Sequence, residues 1–175
     1  LVASATVSLE ATAADVDGSI AKVEFFNGLT KIGEDLTAPF TFSMSSLAVG
    51  SYSVSAKATD NLGATATSTA FVFVVSSNVP PVVSISTPLN NATFTAPATI
   101  AVSANATDAD GNIALVEFYN GATKIGEDAT SPFTYNLANV VEGTYSITAK
   151  ATDNMGASTI SSSIVANVIK ATNTG

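Results

Sequence analysis

One stretch of this chain is written twice. DVDGSIAKVEFFNGLTKIGEDLTAPFTF, from Asp15, lies without a gap over DADGNIALVEFYNGATKIGEDATSPFTY, from Asp108, at a shift of 108 − 15 = 93 residues. The match continues through GSYSVSAKATDNLGA at Gly50 and GTYSITAKATDNMGA at Gly143, with 30 identities in the 49 positions from Asp15 to Gly63. A period of that length is a whole small domain rather than a solenoid unit. The chain of 175 residues therefore reads as two tandem domains, 1–77 and 78–175. They join at SSNVPPVV, where Asn78, Pro80 and Pro81 cannot continue a central strand and two prolines make a short, stiff connection. At the same shift Leu1 falls opposite Phe94, so the first copy lacks any counterpart of Val82–Thr87. The first domain is thus expected to miss its first strand and to expose an edge open to edge-strand dimerisation. The chain opens on Leu rather than Met and reads as a piece of something larger.

Within each copy, apolar and polar residues alternate and no long helical period appears, which is the signature of half-buried strands. Ile100, Val102, Ala104 and Ala106 share one face, and Ala101, Ser103, Asn105 and Thr107 the other. Val116 and Phe118 point inward, while Leu115, Glu117 and Tyr119 point outward; Leu115 is Lys22 in the first copy, a substitution that a core position would not accept. Tyr145, Ile147, Ala149 and Ala151 form a further inward face. FNGLTK and YNGATK are expected hairpin turns, with Asn-Gly supplying the positive φ angles. About seven short strands per copy predict an all-β protein of two tandem immunoglobulin-like β-sandwiches. VGSYSV and EGTYSI look like tyrosine corners at Tyr52 and Tyr145, with Val54 and Ile147 where antibody domains place a cysteine. Alternation by itself also admits a small β-barrel.

Composition removes several chemistries. There is no His, Cys or Trp, and all 6 basic residues are Lys, against 14 acids and a net charge of −8. His or Cys zinc sites, Cys nucleophiles and imidazole-based triads are excluded. An acidic chain without Arg also speaks against nucleic acid and against anionic membranes. The longest strongly apolar run, Phe71–Val75, is too short for membrane insertion as a helix.

Three constellations remain. Asp108-x-Asp110-Gly-Asn112 and Asp153-Asn154-x-Gly156 are expected in loops at one end of the sandwich, where clustered oxygens suit calcium; the first-copy counterparts are Asp15, Asp17, Ser19, Asp60 and Asn61. Asp and Asn in such loops also serve simply to hold turns. Glu117 with Lys150, and Glu24 with Lys57, sit on neighbouring strands and predict cross-strand ion pairs, or a Lys–Asn isopeptide bond if the setting were buried. Tyr119 and Phe26, with Tyr135 and Phe42 further on, are the candidate rings for stacking on a polysaccharide, whereas Phe40 and Phe133 read as core. Glycoside hydrolysis would need a carboxylate pair across a cleft. Here Glu34, Asp35 and Asp60 recur as Glu127, Asp128 and Asp153, as surface and turn residues do when a fold is copied. The chain is expected not to be an enzyme.

ATDADGNIALVEFYNG, TKIGEDATSPF and GTYSITAKATDNMGA resemble the bacterial Ig-like modules found in tandem in secreted polysaccharide-degrading enzymes and surface proteins. The resemblance implies a non-catalytic spacer or accessory module of a secreted or cell-surface bacterial protein, attached to a glycoside hydrolase or an adhesin. Its partners would be the neighbouring domains of the parent polypeptide. The alternative it leaves open is a carbohydrate-binding module contacting polysaccharide.

Overall fold

The structure is a computed structural model and describes residues 1–171. All regular elements among the described residues are strands, in two compact units divided after Ser77. The first unit contains β1 (Val7–Ala11), β2 (Ile20–Asn27), β3 (Thr30–Asp35), β4 (Phe40–Met44), β5 (Gly50–Asp60), β6 (Thr65–Thr67) and β7 (Phe71–Val75). The second contains β8 (Val82–Thr87), β9 (Ala92–Thr95), β10 (Ala98–Thr107), β11 (Ile113–Asn120), β12 (Thr123–Asp128), β13 (Phe133–Val140), β14 (Gly143–Asp153), β15 (Ser158–Ile160) and β16 (Ile164–Ile169).

Each unit is a sandwich of two separate sheets, which disposes of the closed barrel. In the second unit β13-β10-β8 faces β12-β11-β14-β16-β9, and β15 also pairs with β14. Every ladder is antiparallel except β16–β9, which is parallel. The inward faces meet between the sheets: Ile100, Val102, Val116, Phe118, Ile147, Ala149 and Ala151 are all at most 1% exposed. Burying a Val, Ile or Phe side chain in this way contributes roughly 1.5–3 kcal/mol. Both tyrosine corners form, with the Tyr52 hydroxyl donating to the Ala48 carbonyl and the Tyr145 hydroxyl to the Val141 carbonyl, each at 3.0 Å.

The hairpins differ from expectation in one respect. Only the glycine is left-handed, with φ 58° at Gly28 and 57° at Gly121. Asn27 and Asn120 end their strands instead, and their side-chain oxygens accept from the Ser53 and Ser146 N–H groups at 3.0 Å. The asparagine's function is thus to bind across to the neighbouring strand, leaving the turn to Gly-Leu and Gly-Ala.

The first unit is thinner. β1 pairs only with β4, and nothing stands where β8 stands in the second unit. Of the parallel ladder between β16 and β9, its counterpart keeps one bridge, Val2 to Ser76. Where the second unit has one continuous core, the first has two smaller clusters, one around Met44, Leu47, Val54 and Val75 and one around Val23, Phe25 and Phe40.

Candidate functional site

The acidic loops at the end of β14 are largely occupied by the protein itself. Asp153 is 2% exposed. Its Oδ1 accepts from the Met155 and Ala157 N–H groups at 2.8 and 2.9 Å, and its Oδ2 from the Asn78 amide at 2.8 Å. Burial pushes this carboxyl up, but the Asn78 amide and the Met155 and Ala157 N–H groups outweigh it and hold the group below its ordinary value of 3.8. Asp110 accepts the Val79 N–H at 3.1 Å. The Asn154 side chain accepts the Asn112 N–H at 2.9 Å, bracing one loop against the other. Asp110 and Asp153 therefore clamp Asn78-Val79, the residues leading into the second unit. Sequence reasoning missed this partner: Asn78 carried only a loop signal.

The first unit repeats the turn contacts without the clamp. Asp60 Oδ1 accepts the Leu62 and Ala64 N–H groups at 2.8 and 2.9 Å, and the Asn61 side chain accepts the Ser19 N–H at 3.0 Å. Asp17 is exposed.

Among the described residues no three acidic side chains stand close enough together to hold a metal ion. One oxygen from each loop does converge: Asn154 Oδ1 and Asp108 Oδ2 lie 2.4 and 2.7 Å from where a Cβ on Gly111 would stand, and Asn61 and Asp15 repeat this at Gly18. Asp153, Asp60 and Asp110 are instead held by N–H donors. Asp108 is the exception: both of its carboxylate oxygens are shielded from solvent and have no hydrogen-bond partner, as is one oxygen of Asp15 and the Asn78 side-chain oxygen. A cation would be held by Asp108 if by any of them.

The four aromatic candidates divide into two pairs. Tyr135 stacks on Phe118 at 6.2 Å between ring centroids and packs against the core, and Phe42 stacks on Phe25 at 5.8 Å. Each covers a glycine of the opposite sheet: a Cβ on Gly126 would lie 2.2 Å from the Tyr135 ring, and one on Gly33 2.1 Å from Phe42. These two rings are half-buried and turn towards the sandwich interior. Tyr119 and Phe26 stay half-buried on the outward faces of β11 and β2, one ring per unit. Phe71, 65% exposed beside Phe73, is a more accessible ring that the sequence reading passed over as part of an apolar run.

The lysine pairs are also redistributed. Glu117 does meet Lys150, at 3.2 Å, but its closer partner is Lys124 at 2.6 Å, which also holds Glu127. In the first unit Glu24 pairs with Lys31 at 2.6 Å and Lys22 at 3.2 Å. The expected Glu24–Lys57 ion pair is not among the contacts, because Lys22, which stands where the second unit has Leu115, reaches the carboxylate first. Lys31 and then Lys22 hold Glu24 below its usual range, as Lys124 chiefly does for Glu117. The Lys150 side chain is 33% exposed, far from the buried apolar setting that isopeptide chemistry requires. Asp35 and Asp128 are turn staples: each is held below 3.8, first by the N–H of Thr41 or Thr134 and then by that of Thr37 or Thr130.

The family profile described as bacterial Ig domain matches residues 1–56 and 81–149. Among solved structures, the fibronectin(III)-like modules of CbhA from Clostridium thermocellum are 31% identical, over 96% of this chain and 87% of that one, with a TM-score of 0.53. A 1.5-MDa bacterial ice-binding adhesin, studied for host cell surface retention, shares the fold at a TM-score of 0.56 and 14% identity. That similarity covers 98% of this chain and 60% of the adhesin chain. No curated protein sequence gives a significant match.

Proposed function

The chain belongs to the bacterial Ig domain family, and on that premise we propose that it is a non-catalytic spacer or accessory module of a secreted or cell-surface bacterial protein, beside a glycoside hydrolase or adhesin. One observation carries this reading. Asp60, Asp110 and Asp153, three of the acids that a metal site would use, accept bonds from the protein's own N–H groups, and Asp110 and Asp153 hold the segment that leads into the second unit. A lead-in held by two side-chain contacts is stiffer than a free linker, which suits a spacer. Outside β7, where Phe71, Val72 and Val74 are exposed, outward faces rich in Thr, Ser and acid add little stickiness.

The test has two arms. The chain is expected to release no reducing sugar from cellulose, chitin or xylan and not to sediment with them. The variant Asn78→Ala is expected to speed amide exchange at residues 78 and 79 while the core of the second unit stays protected. Retention on one polysaccharide that is abolished by Tyr119→Ala or Phe26→Ala would replace the spacer with the carbohydrate-binding module.

A second reading is favoured by Asp108, whose two buried oxygens lack any donor. Calcium, or another hard cation, would satisfy them and stiffen the second unit. At a hundredfold excess over the dissociation constant the gain is about 2.7 kcal/mol. Calorimetric titration with calcium reads it directly. Heat that survives Asp108→Ala, or no heat up to millimolar calcium, would dismiss it.

A further inference from the structure

In the second unit the edge strand β8 lies along β10 with Ala104 opposite Ile85, Asn105 opposite Ser84, Ala106 opposite Val83 and Thr107 opposite Val82. Shifted by 93 residues, those β10 positions are Ala11, Thr12, Ala13 and Ala14. The same four residues line a groove of about 660 Å³ in the first unit, floored by Val23, Ala56 and Ala58 and walled by Ala64–Ser68. The twin positions of Ala56 and Ala58, Ala149 and Ala151, are fully buried, whereas in the first unit both are only half-buried. Without a neighbour, β1 ends at Ala11, three residues before the point matching the end of β10 at Thr107. Two anchoring groups are repeated as well. Asp60 and Asp17 stand where Asp153 and Asp110 take the Asn78 amide and the Val79 N–H.

We propose that this groove is a strand-addition site whose occupant is an extended segment of the pattern Asn-x-Pro-Pro-Val-Val-x-Ile, running antiparallel to β1. The pattern is that of residues 78–85, which fill the equivalent place in the second unit. Main-chain bonds to residues 11–14 supply the ladder, the small side chains of Ala56 and Ala58 leave room for the residues equivalent to Val83 and Ile85, and Asp60 and Asp17 receive the leading Asn and the N–H after it. Charge argues against a second copy as occupant. The chain carries −8 and the groove is rimmed by Glu10, Asp15 and Asp60, whereas the segment 78–88 has no charge.

The probe is the acetylated, amidated peptide of residues 78–88, titrated into the isotope-labelled full chain. Saturable shift changes confined to residues 10–15, 56–60 and 64–68 are expected, with binding about tenfold weaker or worse for a peptide carrying Val83→Asp and Ile85→Asp. A second measurement covers weak binding in trans: residues 78–93 are duplicated ahead of Leu1, and the first unit's melting temperature is expected to rise by roughly 5 °C or more. The proposal fails if the peptide leaves the groove residues unmoved and the duplicated segment leaves the melt unchanged. It also fails if the Asp-substituted peptide binds equally well, or if the chain forms a dimer through β1 that the peptide does not dissociate.

Discussion

Replacing Gly126 by alanine tests the placement of Tyr135 more sharply than replacing the tyrosine. Gly126 sits in β12 opposite Phe118, and its backbone is outside the left-handed region, so alanine meets no conformational obstacle there. The obstacle is the ring. An added Cβ lies 2.2 Å from Tyr135 Cδ2 and Cε2, where a relaxed contact needs close to 3.5–4 Å. The ring is stacked on Phe118, which has no exposed surface, so it cannot retreat without opening the core. Overpacking of this kind costs about 1–3 kcal/mol. For a domain of this size that lowers the melting temperature by on the order of 5–15 °C, read by calorimetry on the second unit's transition. In a Tyr135→Ala background the clash is gone and alanine is the better strand residue than glycine, so Gly126→Ala should become stabilising by about 0.5 kcal/mol. The coupling between the two positions is then roughly 1.5–3.5 kcal/mol. Gly33→Ala with Phe42 repeats the experiment in the first unit, where the added Cβ lies 2.1 Å from the ring. An unchanged melt for Gly126→Ala, or the same penalty with and without the tyrosine ring, would refute the inward placement and restore Tyr135 as a surface ring.

Three further outcomes follow from the same geometry. Ser161→Ala removes the hydroxyl that accepts the buried Ala149 N–H at 3.0 Å and should cost about 1–3 kcal/mol, whereas Ser68→Ala, whose partner bond to the Ala56 N–H is open to solvent, should cost clearly less; paired thermal melts compare them. Tyr145→Phe loses the corner bond to the Val141 carbonyl and should destabilise the second unit by about 1 kcal/mol in urea titration, without changing the slope. Asp35, Asp128, Asp153, Glu24 and Glu117 all hold their protons less tightly folded than at their ordinary values of 3.8 and 4.5. Their contribution is complete above those values and is lost as pH falls through the lower folded ones, so the melting temperature should be flat near neutrality and drop below about pH 4. Lys31 is raised above 10.5, so its contribution persists until pH climbs past that value. A melting temperature unchanged down to pH 2 would contradict the acid half of this account.

The duplication, the strands and the inward sides of β10, β11 and β14 were legible in the sequence because they rest on local facts. A 93-residue shift is visible by alignment, and a period of two fixes which residues share a face. Val116, Phe118, Ile147 and both tyrosine corners needed nothing more. Tertiary structure decided what depends on two distant elements meeting. Tyr135 and Phe42 read as surface rings until the opposite sheet brought Gly126 and Gly33 beneath them. Lys22, two residues before Glu24 on the same face of β2, took the carboxylate that register alone offers to Lys57. Asp110 met Val79 and Asp153 met Asn78 across 31 and 75 residues, clamping the chain where it enters the second unit. Alternation records which way a side chain faces, but what it faces is set only when the chain closes on itself.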